Sequence, residues 1–184
     1  MHYTLEVAGL KRDLPICKVT DDLYIGAFVV FGDAELTVAC ARELLKLVDP
    51  NSYDYMLTAE AKSIPLIYEM AKVMKMPRYV IARKSVKGYM RNPIITTVNS
   101  ITNMGREQIL VVDEQDAAFI RGKKVAVIDD VISTGSSLQA IEKLVKESGG
   151  EVVARAAVLA EGDAANRKDI IFLEKIPLFF HDKK

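Results

Sequence analysis

The sequence predicts an α/β fold: a mostly parallel sheet flanked by helices, with a small hood lobe built from the terminal segments. Three observations lead there. From about residue 31 to about residue 160, short apolar runs alternate with segments of helical periodicity. Several of those runs are apolar at consecutive positions, as strands covered on both faces must be. The alternation stops at both ends, which assigns residues 1 to about 30 and about 161 to 184 to the hood. A length of 184 residues, 50% of them hydrophobic, suits one domain with a substantial core.

Each element has its own signal. Tyr3 to Gly9 and Leu14 to Tyr24 alternate loosely around "LKRD", the pattern of an N-terminal hairpin. "GDAELTVACARELLKLVD" opens with Asp33 as N-cap and repeats Leu36, Cys40, Leu44 and Leu47 on one helical face. The strand "YDYMLTA" follows. "SIPLIYEMAKVM" is then a second helix, started by Ser63 and Pro65, with Ile67, Met70, Ala71 and Met74 on its apolar side. "RYVIA", "QILVV" and "KKVAVID" are strands, the last two joined by a polar connection. "SLQAIEKLVKESGG" is a helix closed by a glycine pair, and "EVVARAAVLAE" a final strand. Ser85 to Glu107 is long, polar and poorly periodic, as functional loops are; its "IITTV" also suits a β-hairpin.

Composition excludes several classes. Lys plus Arg and Asp plus Glu both number 25, so no net field favours nucleic acid or an anionic membrane as partner. Charges interrupt "MHYTLEVAGLKRD" where a signal peptide has its apolar core, and no apolar run nears the roughly 18 residues of a membrane span. A cytoplasmic protein is expected. Cys17 and Cys40 form no C-x-x-C pair, and the histidines, His2 and His181, lie near the ends, so a zinc site is not indicated. Both cysteines are expected as buried, reduced thiols.

The chemistry concentrates in "VAVIDDVISTGSS", Val125 to Ser137. In an open α/β sheet, ligands bind beyond the carboxyl ends of the strands, and Asp129 and Asp130 stand at such an end. The residues that follow, Val131, Ile132, Ser133, Thr134, Gly135, Ser136 and Ser137, lead into a helix. Backbone N–H groups, hydroxyls and the positive helix end can converge there on a phosphate, while the carboxylates accept hydrogen bonds from neighbouring sugar hydroxyls. The ligand implied is a sugar phosphate. Neither G-x-x-x-x-G-K-[ST] nor G-x-G-x-x-G is present, which argues against a P-loop or a dinucleotide site.

Val125 to Ser137 resembles the 5-phosphoribosyl 1-diphosphate motif of type I phosphoribosyltransferases. The resemblance implies that Asp129 and Asp130 contact ribose hydroxyls and a Mg2+-bound substrate, and that Val131 to Ser137 hold the 5-phosphate. "LTAEAKSIP" is similar to the family's diphosphate loop, often E-A-R-G in purine enzymes. It assigns Glu60, Ala61 and Lys62 to the diphosphate, with Lys62 in place of arginine and Ser63 in place of glycine. "ARKSVKGYM" is similar to the R-K-x-x-K entry to the flexible catalytic loop, which puts Arg83, Lys84 and Lys87 over the departing diphosphate. "AFVVFGDAEL" resembles the adenine enzymes, with Phe31 as the ring packed on the base and Gly32 replacing an arginine. Where many adenine enzymes read L-E-Y-G, Asn103 and Met104 stand for the acid and the tyrosine.

The expectation is therefore a Mg2+-dependent, homodimeric purine phosphoribosyltransferase, adenine being the first choice of base. Hypoxanthine, xanthine or a non-purine is a further choice. A regulatory protein that keeps the ribosyl diphosphate site without catalysis is the alternative from another class, opposed by the lack of a helix-turn-helix or basic extension.

Overall fold

The computed structural model describes residues 1–98 and 108–180. The chain begins with three strands, β1 (His2–Val7), β2 (Leu10–Lys18) and β3 (Leu23–Gly26), and then runs α1 (Ala34–Leu47), β4 (Tyr55–Ala59), α2 (Ile64–Val73) and β5 (Val80–Ala82). There follow β6 (Ile94–Val98), β7 (Gln108–Val112), α3 (Glu114–Ile120), β8 (Lys124–Ile132) and α4 (Ser136–Glu147). β9 (Glu151–Glu161), a 3-10 turn (Gly162–Asn166), β10 (Ile171–Ile176) and β11 (Leu178–Phe180) complete it.

The central sheet has five strands in the order β10-β9-β8-β4-β5, every neighbouring pair parallel. Alternation along β8 divides the core. Ala126 and Ile128 face one side with Leu36 and Leu44 of α1 and Ile67 and Met70 of α2. Val125 and Val127 face the other with Ile120 of α3 and Ile141 and Leu144 of α4. The α/β class with helices on both faces is as expected. A fully buried side chain of this size contributes about 1.5–3 kcal/mol, so β8, which both layers clamp, is a firm base for whatever its end carries.

A four-stranded antiparallel sheet, β1-β2-β3-β11, joins the two ends of the chain. Its membership differs from the expected hood in one respect: β10 lies beyond residue 161 yet pairs in parallel with β9 and extends the central sheet. The N-terminal hairpin also turns earlier than "LKRD". Ala8 and Gly9, at φ 52° and 75°, make the two-residue turn, and Leu10 to Asp13 continue β2. Without an Asn-Gly or Asp-Gly signal the turn was hard to place.

Three further expectations are corrected. The polar connection before β8 contains α3, capped where Asp113 accepts the Asp116 N–H at 2.8 Å. Its seven residues are too few to show periodicity. "QILVV" does not enter the parallel sheet but pairs antiparallel with β6, so a hairpin occupies part of the long connection. Cys40 is buried, whereas Cys17 is exposed, sharing the outward parity of Asp13 and Pro15 on β2.

Candidate active site

β8 ends in the acid pair. Asp129 is half-buried and Asp130 buried, with the Asp130 side chain 7% exposed. The turn beyond is shorter than Val131 to Ser137: Val131 and Ile132 finish the strand and Ser136 and Ser137 begin α4, which leaves Ser133 to Gly135. Ile132 is 3% exposed within the core, so it offers the turn only its backbone. Gly135 is the N-cap of α4 at φ 82°, a conformation in which a side chain is strained. A Cβ there would also stand 2.7 Å from Arg167 Nη1. Arg167 is held by Asp169, donating through Nε at 2.9 Å and Nη2 at 2.6 Å. Thr134 Oγ1 and Ser136 Oγ lie 3.2 Å apart. The turn and the start of α4 line a hollow of about 90 Å3 that reaches Asp129, the arrangement in which a helix N-terminus accepts an anion.

The β4–α2 connection supplies the opposite wall. The Glu60–Ala61 peptide is cis. Ser63 is 1% exposed and does not cap α2 with its side chain; its hydroxyl donates to Asp129 Oδ1 at 2.9 Å and stands 3.3 Å from Asp130 Oδ1. Lys62 forms an ion pair through Nζ with Asp130 Oδ2. Glu60 accepts the Lys84 N–H at 2.9 Å and lies 3.3 Å from Arg83 Nε. The Lys84 N–H bond, then Arg83, lower the Glu60 pKa. A cleft of about 210 Å3 runs between these walls, lined by Glu60, Lys62, Ser63, Lys84, Asp129 and Asp130 among others.

The structure thus brings together Asp129, Asp130, the Ser133–Ser137 turn, Glu60, Ala61, Lys62 and Lys84. It does not bring Phe31, Arg83 or Lys87 to the lining of either cavity. Phe31 is 57% exposed, so it is no core residue. Lys87 donates to Ser85 Oγ at 2.6 Å, and Arg83 Nη1 to the Tyr89 hydroxyl at 3.1 Å. Asn103, Met104 and Gly105 lie outside the described residues. Ser63 and Arg167 were missed as site residues. Ser63 was legible as a helix start and as a replacement for the loop glycine, not as a partner of the acids, and Arg167 has no local signal, its approach to Gly135 being set by the turn after β9.

Burial, followed by the Asp130 charge, pushes the Asp129 carboxyl up to about 7. Among the described residues no group of three or more His, Cys, Asp or Glu could hold a metal. The two acids nevertheless suit magnesium, which keeps several waters and takes one or two carboxylates together with substrate oxygens. Asp130 Oδ2 supports this, because it is buried and already faces a cation, the Lys62 ammonium.

The phosphoribosyl transferase domain profile matches residues 35–181. A hypoxanthine/guanine phosphoribosyltransferase of Methanotorris igneus is 31% identical over 126 residues, which cover 67% of this chain and 62% of that protein, less than two thirds of its length. Among solved structures, adenine phosphoribosyltransferase from Thermoanaerobacter pseudethanolicus superposes with a TM-score of 0.63 at 20% identity, covering 78% of this chain and 82% of its own. An adenine enzyme from Giardia lamblia, complexed with 9-deazaadenine, reaches a TM-score of 0.64 at 12% identity, covering 95% of this chain and 93% of its own. At these identities the two structures share the fold.

Proposed function

The chain belongs to the phosphoribosyl transferase domain family, and from that premise we propose that it transfers the 5-phosphoribosyl group of 5-phosphoribosyl 1-diphosphate to a purine base. The products are a nucleoside 5'-monophosphate and diphosphate. One observation carries this: an acid pair, half-buried at Asp129 and buried at Asp130, runs directly into a glycine-capped helix start and faces a lysine-bearing loop across one cleft.

The Ser133–Ser137 turn and the first N–H groups of α4 hold the 5-phosphate. Asp129 and Asp130 accept from the ribose hydroxyls, with Ser63 keeping both carboxylates aimed. Lys62 and Lys84 face the diphosphate from the opposite wall. As the bond from C1 to the diphosphate oxygen breaks and the bond to the base nitrogen forms, positive charge develops on the sugar ring and negative charge on the leaving group. Orientation and fixed charges then supply the catalysis. Asp129 or Asp130 would hold a magnesium ion, which would supply positive charge against the departing diphosphate. Arg83 and Lys87, outside the cleft here, join when the segment beyond Arg83 folds over the substrate.

Adenine is the proposed base, on the "AFVVFGD" segment and the free ring of Phe31. A 6-oxopurine is the second reading, favoured by relatives named as hypoxanthine/guanine enzymes. A cytoplasmic location belongs to the same proposal; separately, no described helix is long and apolar enough to cross a membrane. The test is chromatographic detection of nucleotide after incubation with 5-phosphoribosyl 1-diphosphate, magnesium and adenine, hypoxanthine, guanine or xanthine in turn. Nucleotide from one base identifies the acceptor. No product from any, with binding of the ribosyl diphosphate intact, overturns the enzyme reading in favour of a regulatory protein.

A further inference from the structure

We infer that Lys62 is an internal cation that occupies Asp130 until a diphosphate draws it away, so that the acid pair admits a divalent cation together with diphosphate and resists it alone. The diphosphate's identity rests on the phosphoribosyltransferase reading; the contest between two cations for one carboxylate oxygen does not.

Asp129 Oδ1 accepts from Ser63 Oγ at 2.9 Å and from the Asp130 N–H at 2.9 Å, and Asp130 Oδ1 lies 3.3 Å from the same hydroxyl. Asp130 Oδ2 is buried, and the Lys62 ammonium is the charge paired with it. A divalent cation seeking this carboxylate meets that ammonium first. Two cations cannot share the oxygen without repulsion, which is strong near a carboxylate whose side chain is 7% exposed.

The ammonium is also easily moved. The Lys62 side chain is 50% exposed, on a flexible stem in the β4–α2 connection, and Asp130 is its ion-pair partner. Lys62 lines the 210 Å3 cleft together with Lys84, so an anion entering there offers it a second partner. Once Lys62 turns to the anion, Asp130 is free for the metal and the ribose. By linkage the same coupling works in reverse: a cation on Asp130 displaces Lys62 toward the anion.

Calorimetric titration with magnesium chloride alone, and separately with metal-free inorganic pyrophosphate, tests this without any turnover. Lys62→Gln should bind magnesium at least about tenfold more tightly than the parent, because a unit charge beside the site is gone, and pyrophosphate at least about tenfold more weakly. Lys62→Arg, which keeps the charge, should bind magnesium about as weakly as the parent. Unchanged magnesium affinity in Lys62→Gln, with a parent-like melting curve, overturns the inference. So does equal tightening in Lys84→Gln, which would mean general field rather than contact. Unchanged pyrophosphate affinity would overturn the transfer to the anion. A failed base panel would sink the proposed reaction and leave these titrations as they are.

Discussion

Asp129→Asn should stabilise the protein and disable it, and the stabilisation should depend on pH in a defined way. The Asp129 carboxyl is raised from 3.8 to about 7, chiefly by burial and then by the Asp130 charge. A folded protein that retains a proton the unfolded chain has lost gains stability from this group fully below the unfolded value near 3.8, and loses it progressively as pH rises to about 7. The parent therefore carries a penalty at pH 8 that it largely escapes at pH 5. Asparagine removes the charge but keeps an Oδ1 able to accept from Ser63 and from the Asp130 N–H, so the hydrogen bonds at 2.9 Å persist. By linkage, the advantage of Asp129→Asn should grow by about 2–3 kcal/mol between pH 5 and pH 8 and level off above. In a domain of this size that amounts to about 5–10 °C in Tm. Thermal melts of both proteins in metal-free buffer across that range are the assay, with nucleotide formation run in parallel. Turnover should fall at least about tenfold, about 1.4 kcal/mol of transition-state stabilisation. A Tm difference that stays flat from pH 5 to pH 8 would refute the buried-acid account.

Three further outcomes are expected. A nucleoside monophosphate should raise the Tm of the parent, and Gly135→Val should abolish that shift, since its side chain would be strained at φ 82° and collide with Arg167 Nη1; an unchanged shift would move the phosphate elsewhere. Lys87→Ala should lower turnover more than it weakens nucleoside monophosphate binding, because the monophosphate lacks the diphosphate that Lys87 would meet. Equal losses in kinetics and in binding titrations would reject that role. Light scattering under assay conditions should give a dimer, the association expected of the family, with a monomer mass refuting it.

Much of this was legible in the sequence, for reasons that differ by element. The parallel core was readable because β8 and β9 are apolar at consecutive positions and α1 and α4 carry long apolar stripes. Asp33 announced its helix and does cap it, accepting the Leu36 N–H at 3.0 Å. The acid pair and the glycine after it were legible because strand, turn and helix start are adjacent in the chain. What failed was non-local or short. Nothing near Gly135 reveals that Arg167 closes in behind it. Nothing near residue 171 tells whether β10 joins the hood or the central sheet, since both bury an apolar strand. Burial by residue type misplaced Cys17, where the parity of β2 decides.

The departures from the family's diphosphate loop look different once placed. Read alone, a lysine for the arginine and a serine for the glycine weaken an anion site, because the bidentate fork is lost and a side chain intrudes. In the structure both substitutions turn toward the acids: the Ser63 hydroxyl reaches both carboxylates and Lys62 neutralises Asp130. Ser63 leaves its own helix without a side-chain cap, about 1 kcal/mol forgone if the hydroxyl had served there. A cap forgone while the same hydroxyl reaches a half-buried and a buried carboxylate is the pattern of a polar group committed to a site. The acid pair beside an anion-binding turn is thereby explained in charge terms. On the proposed reading, the turn takes negative charge through N–H groups, while the acids next to it hold the cations and hydroxyls of the same ligand, and Lys62 pairs with Asp130 until that ligand arrives.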